Sequence, residues 1–171
     1  MTRLRREPAL VALADRDKGD LGTRATALLA RLEWPGKPGA TPITPLTPEE
    51  EQRFAAGEEI YQNICKACHQ ADGRGQEKIA PPLLGSQFAL AANGGVPARI
   101  LLNGKEGTVG LMPPLGATLT DDQIAAVLTY VRREWGHAGT PVDAATIRDA
   151  RTAVAGRARP WTNEELLALM K

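Results

Sequence analysis

The segment Cys65-Lys66-Ala67-Cys68-His69 carries both cysteines of the chain and one of its two histidines. This C-x-x-C-H spacing is the attachment signature of c-type haem. Two thiols one turn apart on a helix end reach the two vinyl groups of one porphyrin and form thioethers. The next residue then offers its imidazole to the iron as proximal ligand. Three other readings compete. A structural zinc site needs four ligands, and with two Cys and two His in all a carboxylate would have to complete it. A thioredoxin-like redox pair needs a βαβ setting, which the surrounding pattern lacks. A pair of cysteines beside a histidine can also be plain core. The expected cofactor is therefore one covalently attached haem c, bound through Cys65, Cys68 and His69.

Composition agrees with a core built around such a group. Aromatic residues make up only 4% of 171 residues, a thin supply for the centre of a core this large. A porphyrin supplies the missing apolar body. Two cysteines three positions apart cannot staple distant segments, which excludes a disulfide scaffold. Lys and Arg (21) nearly cancel Asp and Glu (20), so the basic footprint of a nucleic-acid partner is absent. No like-charge cluster is visible, and charge steering of a partner is expected to be weak. No apolar run approaches the ~18 residues of a membrane span. After Thr2-Arg3-Leu4-Arg5-Arg6, the stretch Ala9–Ala14 stops at Asp15, short of the ~7–15 residues of a secretory h-region.

The chain divides by pattern. Residues 1–33 are rich in Ala, Leu and Arg, with helical spacing at Leu21, Ala25, Leu28 and Leu32 and Asp20 as candidate cap. Residues 34–47 hold Pro35, Pro38, Pro42 and Pro45 among Gly and Thr and read as an extended linker. In residues 48–135, Thr47-Pro48-Glu49-Glu50 is a capping box that opens a helix to about Asn63. Pro97–Asn103 is a short helix stopped by Gly104. Thr120-Asp121-Asp122-Gln123 is a second capping box, with Ile124, Val127, Leu128, Val131 and Trp135 along one stripe and Gly136 as stop. Residues 136–171 carry two more helices, starting at Asp143 and at Thr162-Asn163-Glu164-Glu165. No alternating β pattern is found, and the fold class is all-α.

Elimination singles out a second axial ligand. Met1 is terminal and Met170 adjoins the C-terminus, whereas Met112 lies in Gly110-Leu111-Met112-Pro113-Pro114, where prolines fix a soft thioether. His137 stays open as competitor, although after a helix-ending glycine it reads as a solvated surface histidine. Apolar candidates for the wall include Ile64, Leu83, Leu84, Phe88, Ile100 and Leu101, with Leu111 and Leu115 from the methionine segment. Arg99 reads as a surface cation, with a propionate as its alternative partner.

From Pro48 to Trp135 the residues resemble a class I cytochrome c. Gly57 and Tyr61 are similar to the glycine and aromatic of that family's first helix, and Val127 and Tyr130 are expected to face Gly57 across a close helix crossing. Pro81-Pro82-Leu83-Leu84-Gly85 resembles the family's loop after the haem motif, and Leu111-Met112-Pro113-Pro114 its methionine loop. The resemblance implies a fold of helices around a covalently bound haem, with N- and C-terminal helical extensions. It also implies that the Pro81 carbonyl accepts from the His69 ring N–H and orients the imidazole. Ala80, where the family often has Gly, departs from the pattern.

The tail, from Val142-Asp143 to Pro160-Trp161-Thr162, resembles the ends of cytochrome modules fused behind dehydrogenase-like or helical-repeat domains. On that reading residues 1–33 are the helical stub of an upstream domain. Haem is attached to C-x-x-C-H outside the bacterial cytoplasm, so we expect a periplasmic or otherwise extracytoplasmic protein, and expect this chain to be part of a longer exported one. The expected function is transfer of single electrons from a dehydrogenase donor to an acceptor protein, without enzymatic chemistry. A peroxidase-like enzyme or a gas or redox sensor is the alternative, and each needs a labile sixth ligand.

Overall fold

A computed structural model describes residues 2–4, 7–34, 37, 44–107 and 109–171. Arg5, Arg6, Pro35, Pro38 and Pro42 lie outside the described residues. The chain forms two compact units, Met1–Pro45 and Leu46–Lys171.

In the first unit, β1 (Thr2–Arg3) pairs in parallel with β2 (Leu32–Glu33). Between them run α1 (Leu10–Arg16) and α2 (Asp20–Leu29). The stretch Ala9–Ala14 lies largely within α1. Asp20 is the first residue of α2 rather than its cap. The cap is Gly19, whose N–H donates to the Asp17 carboxylate at 2.6 Å.

The second unit is mostly helical and is organised by one close crossing. Helix α3 (Pro48–Ile60) starts at the Thr47 capping box, where the Thr47 hydroxyl accepts from Glu50 N–H and Glu50 accepts from Thr47 N–H. It does not end near Asn63. A π-helical segment, Tyr61–Cys65, and α4 (Lys66–His69) continue it through the whole cysteine motif. Helix α5 (Gly95–Asn103) follows, then α6 (Asp121–Arg133), which opens on the Thr120 capping box. Every residue from Ile124 to Arg132 is buried, so α6 is packed on all sides.

Gly57 is the point of closest approach between α3 and α6. A Cβ there would overlap the Ala126 carbonyl and come within 2.9 Å of Tyr130 Cβ. The contact is therefore made by Ala126 and Tyr130. Val127, expected at this crossing, turns instead toward the cavity described below. The aromatic residues gather at the crossing: Phe54, Tyr61 and Trp135 stack around Tyr130 with ring centroids 5.1–5.9 Å apart. Gly57→Ala is expected to destabilise the unit by roughly 2–3 kcal/mol, because overpacking against backbone outweighs the ~1 kcal/mol helix-propensity gain. Urea unfolding of the variant and parent checks this.

Trp135 leaves the helical stripe. It sits in a 3-10 turn (Glu134–Gly136) with φ +55°, which brings its indole over Gly73, and its Nε1–H donates to the Ala71 carbonyl at 3.1 Å. Helices α7 (Ala144–Ala153) and α8 (Asn163–Ala168) begin at Asp143 and Thr162 caps, as their sequence predicts. A two-residue hairpin also escapes sequence reading: β3 (Lys105–Glu106) against β4 (Leu111–Met112), with Lys105 opposite Met112. Arg132, 1% exposed, ties this helical frame to its loops, donating to the Ala89, Ala91 and Thr140 carbonyls at 2.7–2.9 Å.

Candidate haem-binding site

The motif is presented by an abrupt end to its helix. The π-helical turn before Lys66 widens the coil by one residue, and such turns recur at functional sites. Immediately after His69 the chain reverses at Gln70, a non-glycine residue with φ +60°. Tyr61, fully buried, holds that conformation: its hydroxyl donates to the Gln70 carbonyl at 2.6 Å. Gly75, with φ +73°, then lets the loop fold back where a Cβ would overlap the Ala80 carbonyl.

The result brings Pro81 to the histidine. His69 Nδ1–H donates to the Pro81 carbonyl at 3.0 Å. A carbonyl only accepts, so the proton resides on Nδ1 and Nε2 carries a lone pair. Burial holds the His69 pKa below its usual value, partly opposed by the Pro81 hydrogen bond. Burial thus favours the neutral imidazole, and the Pro81 hydrogen bond orients it as a ligand. Cys65 is half-buried and Cys68 exposed. Burial, with a smaller contribution from Cys68, raises the Cys65 thiol to about 11.

Cys65, Cys68, His69, Pro81 and Met112 border one cavity of about 480 Å³, within the usual range for a cofactor site. Ile64, Leu83, Phe88, Ile100, Leu101 and Leu115 form much of its wall, and Val127, Leu128 and Val131 bring α6 to it. Leu111, at its mouth, is 61% exposed. Leu84 does not border it; its N–H donates to the Gly73 carbonyl instead. Polar lining residues are few: Ser86, Gln87, Lys105 and Asn163. Lys105 and Asn163 carry no sequence signal for this role, since the hairpin and the tail deliver them. Burial holds the Lys105 pKa below its ordinary value, and its ammonium lies 5.3 Å from the Phe88 ring. Arg99 is not part of the lining and donates to its own helix, at the Gly95 carbonyl.

His137 is buried rather than solvated. Its Nδ1–H donates to the Val131 carbonyl at 2.7 Å, and Nε2 accepts from Gly85 N–H at 2.9 Å. Both ring nitrogens are thus engaged away from the cavity. Among the described residues no three His, Cys, Asp or Glu side chains gather as a metal cluster. The donor set instead suits a porphyrin: two thiols, an oriented neutral imidazole and a thioether around an apolar cavity.

Comparison with known proteins agrees. A sequence model of the family described as cytochrome C oxidase, cbb3-type, subunit III, matches residues 52–131. Cytochrome c-552 of Thermus thermophilus is 35% identical over 95 residues, covering 49% of this chain and 71% of the relative. The chain belongs to the c-type cytochromes. The cytochrome is also similar to two subunits of larger enzymes. The alcohol dehydrogenase (quinone) cytochrome c subunit of Gluconobacter oxydans is 29% identical over 110 residues, 57% of this chain. The fructose dehydrogenase cytochrome subunit of Gluconobacter japonicus is 31% identical over 105 residues, 56% of this chain. The chain spans 22% of the length of each of these two subunits. Its fold is the class I cytochrome c fold and its cofactor is covalently bound haem c. Among the described residues no helix is long and apolar enough to cross a membrane.

Proposed function

We propose that this cytochrome passes single electrons from a quinone-dependent dehydrogenase to a downstream acceptor protein. In this reading Cys65 and Cys68 hold the haem as thioethers, His69 is the proximal ligand and Met112 the sixth. Haem c, when bound, supplies a one-electron iron(III)/iron(II) couple. The observation that carries the reading is that His69 and Met112 border the same apolar cavity. With both ligands in place no position at the iron is open to a substrate.

The chain's own residues then have simple tasks. Pro81 fixes the imidazole, Tyr61 and Gln70 fix the end of the motif helix, and the apolar wall excludes water. Burial and methionine ligation both favour the reduced state relative to a bis-histidine site. Exposed groups beside the motif and the methionine (Lys66, Ala67, Leu111 and Pro113) flank the mouth, where brief encounters over a small interface suffice. The dehydrogenase donor is supported by the names of the two Gluconobacter relatives. An extracytoplasmic location is supported by the attachment chemistry of the motif. Residues 48–135 are the cytochrome module in this reading, with 34–47 a linker and 136–171 a helical extension.

Rapid mixing of the oxidised protein with a quinone-dependent alcohol dehydrogenase and its substrate tests the donor. Reduction by one electron per chain, without turnover of added peroxide, is expected. Failure to accept electrons, or sustained peroxide turnover, contradicts the proposal.

A further inference from the structure

We infer that the C-terminal segment Arg157–Leu166 is a clamp that positions Met112, with Trp161 as its positioning residue. The inference rests on the proposed role of Met112 as sixth ligand. Met112 stands on β4, whose ladder with β3 is only two residues long. A ladder of that length does not hold itself in water. Its support comes from the other edge of β3. Trp161 N–H donates to the Gly104 carbonyl at 3.0 Å, and Glu106 N–H donates to the Trp161 carbonyl at 2.8 Å. Trp161 thus serves as a one-residue third strand, in parallel register with Lys105.

Its side chain acts on the same place. The indole and Met112 pack against one apolar cluster with Phe88, around Ala91, Val96, Ile100 and Leu166. Leu166, on α8, is fully buried there. The Arg157 guanidinium covers the indole with its centre 3.7 Å from the ring centroid, and Glu165 holds that guanidinium at 2.6 Å. Asn103 Nδ2–H donates to the Arg157 carbonyl at 3.0 Å, fastening the clamp to α5. Beyond the methionine, Arg151 of α7 donates to the Gly116 carbonyl at 2.7 Å and pairs with Asp121. The extension therefore grips the methionine loop at both ends. A thioether is a neutral, weak ligand, and its hold on the iron depends on how rarely the loop opens. Local openings of this kind have their own free energy, separate from global unfolding.

The test is carbon monoxide binding to the reduced holoprotein, read with the far-red methionine–iron band of the oxidised form. Met112→Ala sets the ceiling. Trp161→Ala should weaken the band and raise the carbon monoxide association rate about tenfold, as expected when local opening is eased. The indole Nε1 makes no hydrogen bond among the described residues, so Trp161→Phe should restore most of the parent behaviour. Amide exchange at Glu106, the donor to Trp161, should accelerate in Trp161→Ala. Arg157→Gln keeps the backbone bridge, remains informative if Trp161→Ala does not fold, and should give roughly a threefold rise through the same opening. A lowered melting temperature with unchanged band and carbon monoxide rate overturns the clamp. If Met112→Ala itself changes neither readout, the ligand assignment fails instead.

Discussion

Met112→Ala is expected to abolish the far-red methionine–iron band, admit carbon monoxide to the reduced protein and lower the midpoint potential. The potential should fall on the order of 0.2 V, a fraction of the ~0.8 V span that axial ligands command. Two physical effects add. The soft thioether that favours iron(II) is lost, and the position it occupied opens to water, which raises the local polarity. His137 cannot take over, because its Nδ1 is bound to Val131 and its Nε2 to Gly85. Protein-film voltammetry and absorption spectra of parent and variant check the result. An unchanged potential and band would remove Met112 from the iron.

The double variant Cys65→Ala, Cys68→Ala should lose covalent haem altogether, so that acidified acetone extracts all of it from the purified protein. The consequence for folding is large. Without the porphyrin the apolar wall of the cavity loses its packing partner and is left to water, a large loss for a domain of marginal stability. The second unit freed of haem should therefore show no cooperative thermal transition. The thin aromatic supply has the same meaning: four of the seven aromatic residues gather at the α3–α6 crossing around Tyr130, and Phe88 is the aromatic that borders the cavity on the other side of α6. Calorimetry of the extracted variant checks this. A sharp transition near that of the parent would show that the polypeptide alone builds the core.

Local signals account for what was legible in the sequence. The capping boxes at Thr47, Thr120 and Thr162 exchange bonds within three residues, so their sequence predicts them and the structure contains them. The cysteine motif, Gly57 and Pro81 were legible for the same reason: fixed spacing implies fixed chemistry. Contacts remote in sequence were not. His137 looked like a surface residue because the groups that bury it, Val131 and Gly85, come from α6 and from a loop 52 positions away. The β3–β4 hairpin has two residues per strand, too few to show a period of two. Its third partner, Trp161, is supplied by the tail. The π-helical turn at Tyr61 follows from packing around the motif and has no pattern of its own. Leu84 falls outside the wall because an apolar side chain near a cavity need not face it.

Carbon monoxide titration of the reduced wild-type protein, followed by visible absorption, bears most directly on the claim that both axial positions are filled from within the chain. The account predicts a low-spin spectrum that excess carbon monoxide leaves unchanged. A shift to a carbon monoxide complex at low ligand concentration would mean an open or labile sixth position. The protein would then be an enzyme or a sensor rather than an electron carrier.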